Sequence, residues 1–161
     1  MVDLPADDMG HAMHLDLPLL EGKGVVLVVL DLAGSDGSAL SHNVYWLAQR
    51  ADGLRALNAL PPAELRAVAT VHSTSEGKTV EVSLSNLTNT ASLANKLTLI
   101  DAETHRRVLP AYYSDNYITL LPQETRTVQV QVPLSVASHE LSIALRGWNA
   151  AATTVRVVSR Q

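Results

Sequence analysis

Three of the four tyrosines of this chain fall within six positions, in the run Tyr112, Tyr113, Ser114, Asp115, Asn116, Tyr117. A tyrosine joins an apolar ring to a polar tip, so a turn carrying three has two uses. It can stack on a sugar ring or a neighbouring domain, or it can seal the end of a β-sandwich by packing. Asp115 is the acid in this company. Glycoside hydrolysis uses two carboxylates, about 5 Å or about 6.5–9.5 Å apart. The sequence offers Asp115 no visible second acid, and an Asp before an Asn in a turn also serves by bonding its own backbone. Trp148, directly after a strand pattern, has the same two readings, core-edge packing or ligand contact. Tyr112, Tyr113, Ser114, Asp115, Asn116, Tyr117 and Trp148 are therefore candidate substrate or interdomain contacts, and no residue is a candidate catalyst.

Other chemistries find little support. The six histidines stand at positions 11, 14, 42, 72, 105 and 139. Only His11 and His14 are close in sequence, and no third ligand accompanies them, so no metal site is expected. No phosphate-binding glycine loop is present, because Gly34-Ser-Asp-Gly37 has neither the spacing nor the strand-to-helix setting. No Gly-x-Ser-x-Gly elbow supports a nucleophilic serine. No cofactor is implied. Asn86-Leu-Thr88 fits a glycosylation sequon.

With 161 residues, 47% of them hydrophobic but none of them Phe, the chain can bury a core of Val, Leu, Ile and Ala. A net charge of −4 gives no electrostatic case for nucleic acid or an anionic membrane as partner. The absence of Cys excludes a disulfide scaffold. The longest apolar run, Val25 to Leu30, is far shorter than the roughly 20 residues of a membrane helix. The acidic N-terminus lacks the basic region of a signal peptide. Localisation stays open, periplasmic or secreted if the chain belongs to an exported parent.

The elements that must position the aromatic turn are strands. Residues 1–14 read as a loose lead-in, and Leu15 to Pro18 as a short strand cut off by its proline. Val25 to Leu30, bounded by glycines, reads as a strand buried on both faces. Gly34 to Gly37 turns it into a second strand, Leu40 to Ala48. A lone hairpin is marginal in water, so this pair looks like the end of a larger sheet. Ala51 to Ala63 carries Leu54, Leu57 and Leu60 at helical-turn spacing, and Pro61-Pro62 marks a boundary. Beyond it, apolar and polar residues alternate in Val80 to Leu84, Leu97 to Leu99, Val128 to Val132, Leu141 to Leu145 and Val155 to Val157. Arg107 to Leu109 reads as one further short strand, and Leu120 to Glu124 as a proline turn. Seven or eight short strands predict an all-β, immunoglobulin-like antiparallel sandwich over 62–161.

Four blocks in order carry a resemblance: Ser41 to Leu47 (SHNVYWL), Val108 to Tyr117 (VLPAYYSDNY), Leu120 to Glu124 (LLPQE) and Gly147 to Asn149 (GWN). Together they resemble the C-terminal end of glycoside hydrolase family 2, in the exo-β-D-glucosaminidase and β-mannosidase-type branch. The resemblance implies that residues 15–61 are the last strands of a preceding immunoglobulin-like domain plus a linker, and 62–161 a complete C-terminal one. It also implies a parent hydrolysing terminal β-linked sugars on a (β/α)8 barrel. The two catalytic glutamates of the family belong to that barrel, so none is carried over and this chain alone is expected to be inactive. Its partners would be the barrel and other domains of the parent, and possible carbohydrate. Gln123 stands where the family usually has Gly, which suggests a turn that does not need a positive φ. The alternatives are a stand-alone carbohydrate-binding sandwich and a protein-interaction sandwich.

Overall fold

The computed structural model describes residues 9–11, 14, 24–73, 75, 77–133 and 140–159. The short strand expected at Leu15 to Pro18, most of the lead-in and His139 lie outside the described residues. The chain divides into two compact units, Met1–Ala59 and Leu60–Gln161.

In the first unit, β1 (Val25–Ala33) pairs antiparallel with β2 (Ala39–Ala48), from Val25 opposite Ala48 to Ala33 opposite Ala39. The connection forms because Gly37 supplies a φ of 82° and Asp36 Oδ1 accepts from the Ser38 N–H at 2.9 Å and the Ser38 hydroxyl at 2.6 Å. A 3₁₀ helix, Ala51–Ala59, follows and touches both strands. Its three-residue turn places Leu54 and Leu57 one above the other; Leu57 is buried and Leu54 is not. β1 departs from the two-faced burial expected of it. Val25 to Val29 are half-buried, while Leu30 and Leu32 are exposed. The physical reason is the partner set: β2 is the only strand paired with β1 among the described residues, so most of its apolar surface has no sheet to cover it.

The second unit holds eight strands. They are β3 (Leu65–Ser73), β4 (Gly77–Asn86), β5 (Ser92–Asp101), β6 (Tyr112–Tyr113), β7 (Ile118–Leu120), β8 (Thr125–Pro133), β9 (Leu141–Arg146) and β10 (Thr153–Ser159). Their hydrogen-bonded order is β6-β8-β4-β3-β10-β9-β5-β7. The order folds over at β10, whose first half (Thr153 to Arg156) pairs antiparallel with β9 and whose second half (Val157 to Ser159) pairs parallel with β3. The result is an all-β sandwich, β6-β8-β4-β3 against β9-β5-β7. The alternation read from the sequence fills it: Val80, Val82, Leu84, Val128 and Val130 from one layer meet Leu97, Leu99, Leu120, Ile143 and Leu145 from the other. Each such leucine or valine contributes on the order of 1.5–3 kcal/mol by leaving water.

Two local expectations fail. The segment from Arg107 to Leu109 is not a strand: it holds one isolated bridge, Ile100 to Arg107, and the strand forms at Tyr112–Tyr113 instead. Pro110 has no N–H for a ladder, so pairing resumes only after it. Gln123 does take a positive φ, 62°. The turn closes by the Glu124 N–H to the Leu121 carbonyl at 3.2 Å, and the Leu121 N–H to the Glu124 carboxylate at 2.7 Å. That geometry requires the left-handed conformation a Gly would accept more easily.

Candidate functional site

The aromatic turn lies along one edge of β5. On its other edge β5 is laddered to β9 from Lys96 to Asp101. On this edge β7 reaches it only at Ser92 and Asn95, and the rest would be an open row of amides and carbonyls. Residues 106–117 close it. The Asn116 carboxamide accepts from the Leu97 N–H at 2.8 Å and donates to the Leu97 carbonyl at 3.0 Å, as a neighbouring strand would. The Tyr113 hydroxyl accepts from the Leu99 N–H at 2.7 Å, tying β6 of one layer to β5 of the other. The Val108 N–H donates to the Leu99 carbonyl at 3.0 Å.

The seven sequence candidates therefore divide. Tyr113 and Asn116 are half-buried and bonded to β5; Ser114 extends the β8 ladder, its N–H and Oγ both bonded to the Gln129 backbone. Asp115 is exposed, and its carboxylate accepts from the Asn116 N–H at 2.7 Å. Tyr112, Tyr117 and Trp148 present their rings to solvent at 62%, 60% and 59% exposure. Tyr117 is held at φ 56°, a conformation that costs a non-glycine residue about 1–3 kcal/mol; its N–H is bonded to Asn116 Oδ1. The Lys96 ammonium sits 5.3 Å from the centre of its ring. A hydrogen bond donated by the Lys96 ammonium, then the charges of Lys96, Arg146 and Arg107, hold the Tyr117 hydroxyl below the ordinary tyrosine range.

Three asparagines to which the sequence reading gave no anchoring role hold this end of the sandwich. Asn95, fully buried, donates to the Ser92 and Ile118 carbonyls and accepts from the Ser92 hydroxyl. Its Oδ1 occupies the space a Cβ at position 147 would need, which explains Gly147. Asn149 bonds the Leu93 N–H and the carbonyls of Pro61 and Ala91, fixing the loop that carries Trp148. Asn86 is buried, and its Nδ2 donates to the Thr90 and Leu121 carbonyls. The folded sequon therefore offers no free amide for a glycan. The sequence showed Asn149 within the Gly147-Trp-Asn149 block and Asn86 as the start of a sequon; Asn95 looks like an ordinary strand residue until the pairing is known.

In the first unit, His42 Nδ1 lies 2.5 Å from Asp31 Oδ1, across the β1–β2 pair, and its buried Nε2 has no hydrogen-bond partner among the described residues. Among the described residues no group of three His, Asp or Glu could hold a metal ion, and no helix is long and apolar enough to cross a membrane.

Comparison with known proteins gives consistent findings. Residues 43–150 match the family described as the exo-β-D-glucosaminidase Ig-fold domain. An exo-β-D-glucosaminidase of Arthroderma benhamiae is 31% identical over 148 residues, covering 80% of this chain and 16% of that protein. One from Streptomyces avermitilis is 29% identical, covering 93% of this chain and 19% of its own. In structure, the Amycolatopsis orientalis exo-chitosanase CsxA superposes with a TM-score of 0.74 at 25% identity, over 83% of this chain and 18% of that one. The chain thus spans less than a fifth of the relatives it matches.

Proposed function

The chain belongs to the exo-β-D-glucosaminidase Ig-fold domain family, and from that premise we propose that it works as a noncatalytic sandwich module of a family 2 glycoside hydrolase. In this reading residues 62–161 are the C-terminal immunoglobulin-like sandwich, 15–61 the last strands of the preceding domain plus a linker, and 1–14 a lead-in. The parent removes terminal β-linked glucosamine with glutamates on its barrel, and the module buttresses that barrel. The observation that carries the reading is coverage: a family match across most of this chain against relatives of which it spans only 16% and 19%. The hairpin supports it. Among the described residues its apolar surface is only half-covered, and His42 Nε2 has no partner there; an unmet buried nitrogen costs on the order of 1–3 kcal/mol unless another segment meets it.

Within the module the seven candidates take two roles. Tyr113, Ser114 and Asn116 position the turn, and Tyr112, Asp115, Tyr117 and Trp148 are the groups available to substrate or to another domain. The exposure of the three rings also favours a second reading, a carbohydrate-binding sandwich.

Hydrolysis of p-nitrophenyl β-D-glucosaminide tests the main reading. The chain alone is expected to show none. A barrel-bearing parent truncated before residue 25 is expected to lose stability and activity, and to regain them when the chain is supplied in trans. Hydrolysis by the isolated chain, or a truncated parent as stable and active as the complete one, would refute it.

A further inference from the structure

The outward surface of β5, β9 and β10 is hollow, and the sequence shows why. By register Thr154, Ala144 and Thr98 lie side by side across the three strands, a row of small residues. The flanking rows are larger: Lys96 opposite Arg146 on one side, Ile100 bridged to Arg107 on the other. With His105 and Thr153 these residues line a cavity of about 400 Å³.

The charge of this hollow is one-sided. Its lining holds Lys96, Arg107 and Arg146 and no Asp or Glu, although the chain as a whole carries a net charge of −4. Among the described residues none of the three is ion-paired, whereas Arg156, Arg126 and Arg50 each have a carboxylate. Lys96 and Arg146 are direct cross-strand partners, an arrangement of like charges that destabilises a sheet. Such a pair is tolerated best when a counter-charge arrives from elsewhere. The same three cations lie close enough to Tyr117 to lower its hydroxyl.

We infer that this hollow is a docking site for carboxylate side chains on another segment of the parent polypeptide. The inference rests on the module reading above and gives it a specific contact surface. Guanidinium groups bind carboxylates through paired N–H donors, and the threonine hydroxyls can complete the shell. A glucosamine unit, itself a cation, is repelled here. The lining has no aromatic ring to stack on a sugar, imidazole apart, which favours an acidic polypeptide over a sugar acid. The relatives' greater part lies outside the region matched here, so a parent of their length has further chain that could supply such an occupant.

An NMR titration of the ¹⁵N-labelled 161-residue chain with a capped tetraglutamate peptide tests the site, with glucuronate and chitotriose as comparison ligands. The expected result is shifts centred on Lys96, Thr98, Ala144, Arg146 and Thr154, weakening as salt rises. In an Arg107→Gln, Arg146→Gln double variant, whose altered groups face solvent, affinity is expected to fall by about tenfold. Shifts spread equally to Arg66, Lys78 and Arg126, no shifts at low salt, or a response to glucuronate or chitotriose without one to tetraglutamate would each overturn the assignment. The glycosidase reading fails separately, in the hydrolysis assay: a chain that binds tetraglutamate here but restores no activity to the truncated parent keeps the site and loses that reading.

Discussion

The β1–β2 hairpin and the β3–β10 sandwich draw on the same few side chains, yet Val80, Val82 and Leu99 are fully buried while Leu30 is 44% exposed. Composition does not separate them; partners do. β4 has a strand on each side and a facing layer of β5, β9 and β7. β1 has β2 and a short 3₁₀ helix. An apolar strand states a demand for cover, and only the rest of the fold answers it. In the sandwich the demand is met within the chain. In the hairpin it is not met among the described residues, which fits the role proposed for it, the last strands of a domain whose other strands lie elsewhere.

The largest expected effect sets the two regions against each other. Leu97→Ala in the sandwich core should cost about 2–5 kcal/mol in denaturant unfolding. Leu30→Ala, on an exposed face of β1, should leave the same transition within about 0.5 kcal/mol. Equal losses would mean that the two regions fold as one unit. Next in size is the sealed edge of β5. Asn116→Ala leaves the Leu97 N–H and carbonyl without their side-chain partner, for about 1–3 kcal/mol, and Tyr113→Phe removes one hydrogen bond, for about 1 kcal/mol. If Tyr113→Phe left thermal stability unchanged but raised KM in the parent enzyme, its hydroxyl would belong to substrate contact rather than to the edge.

Smaller effects sharpen the contrast at single turns. Gln123→Gly should stabilise the sandwich, by less than about 1 kcal/mol, because Gly accepts φ 62° freely. The gain is partly offset by the lost Gln123 Nε2 bond to the Leu87 carbonyl. The smallest expected effect is in the hairpin turn. Hydrogen bonds from the Ser38 hydroxyl and then the Ser38 N–H hold the Asp36 carboxyl below its ordinary value. A lowered carboxyl stabilises the fold above the unfolded-state pKa, and the contribution fades as pH falls through the folded value. The Ser38 amide resonance should therefore move below the ordinary carboxylate range while core amides of the sandwich stay fixed. Asp36→Asn should abolish that movement.

Much of the sandwich was legible because alternation is a local signal. Val80 to Leu84, Val128 to Val132 and Leu141 to Leu145 announce a buried face without reference to any partner. The family was legible too, through blocks whose order carries more information than any one of them. The Gln123 turn misled, because a residue other than Gly suggests a negative φ, and the closing bonds at Leu121 and Glu124 override that preference. The sealed edge and the cationic hollow were hidden for another reason. Asn116 meets Leu97, and Lys96 meets Arg146, only through strand pairing that joins positions far apart in the chain. The turn Tyr112 to Tyr117 was visible as a cluster, but which members face inward depends on the β5 edge beneath them.

The central proposal, a sandwich that covers its own core and a hairpin that takes its missing strands from elsewhere, is tested most directly by amide hydrogen exchange on the isolated chain. The account predicts that Val80, Val82, Leu97 and Leu99 exchange only through global unfolding, while Val26, Val28 and Leu30 exchange through local opening at far lower free energy. Equal protection in the two sets, lost together in denaturant, would contradict it and show the hairpin to be complete as it stands.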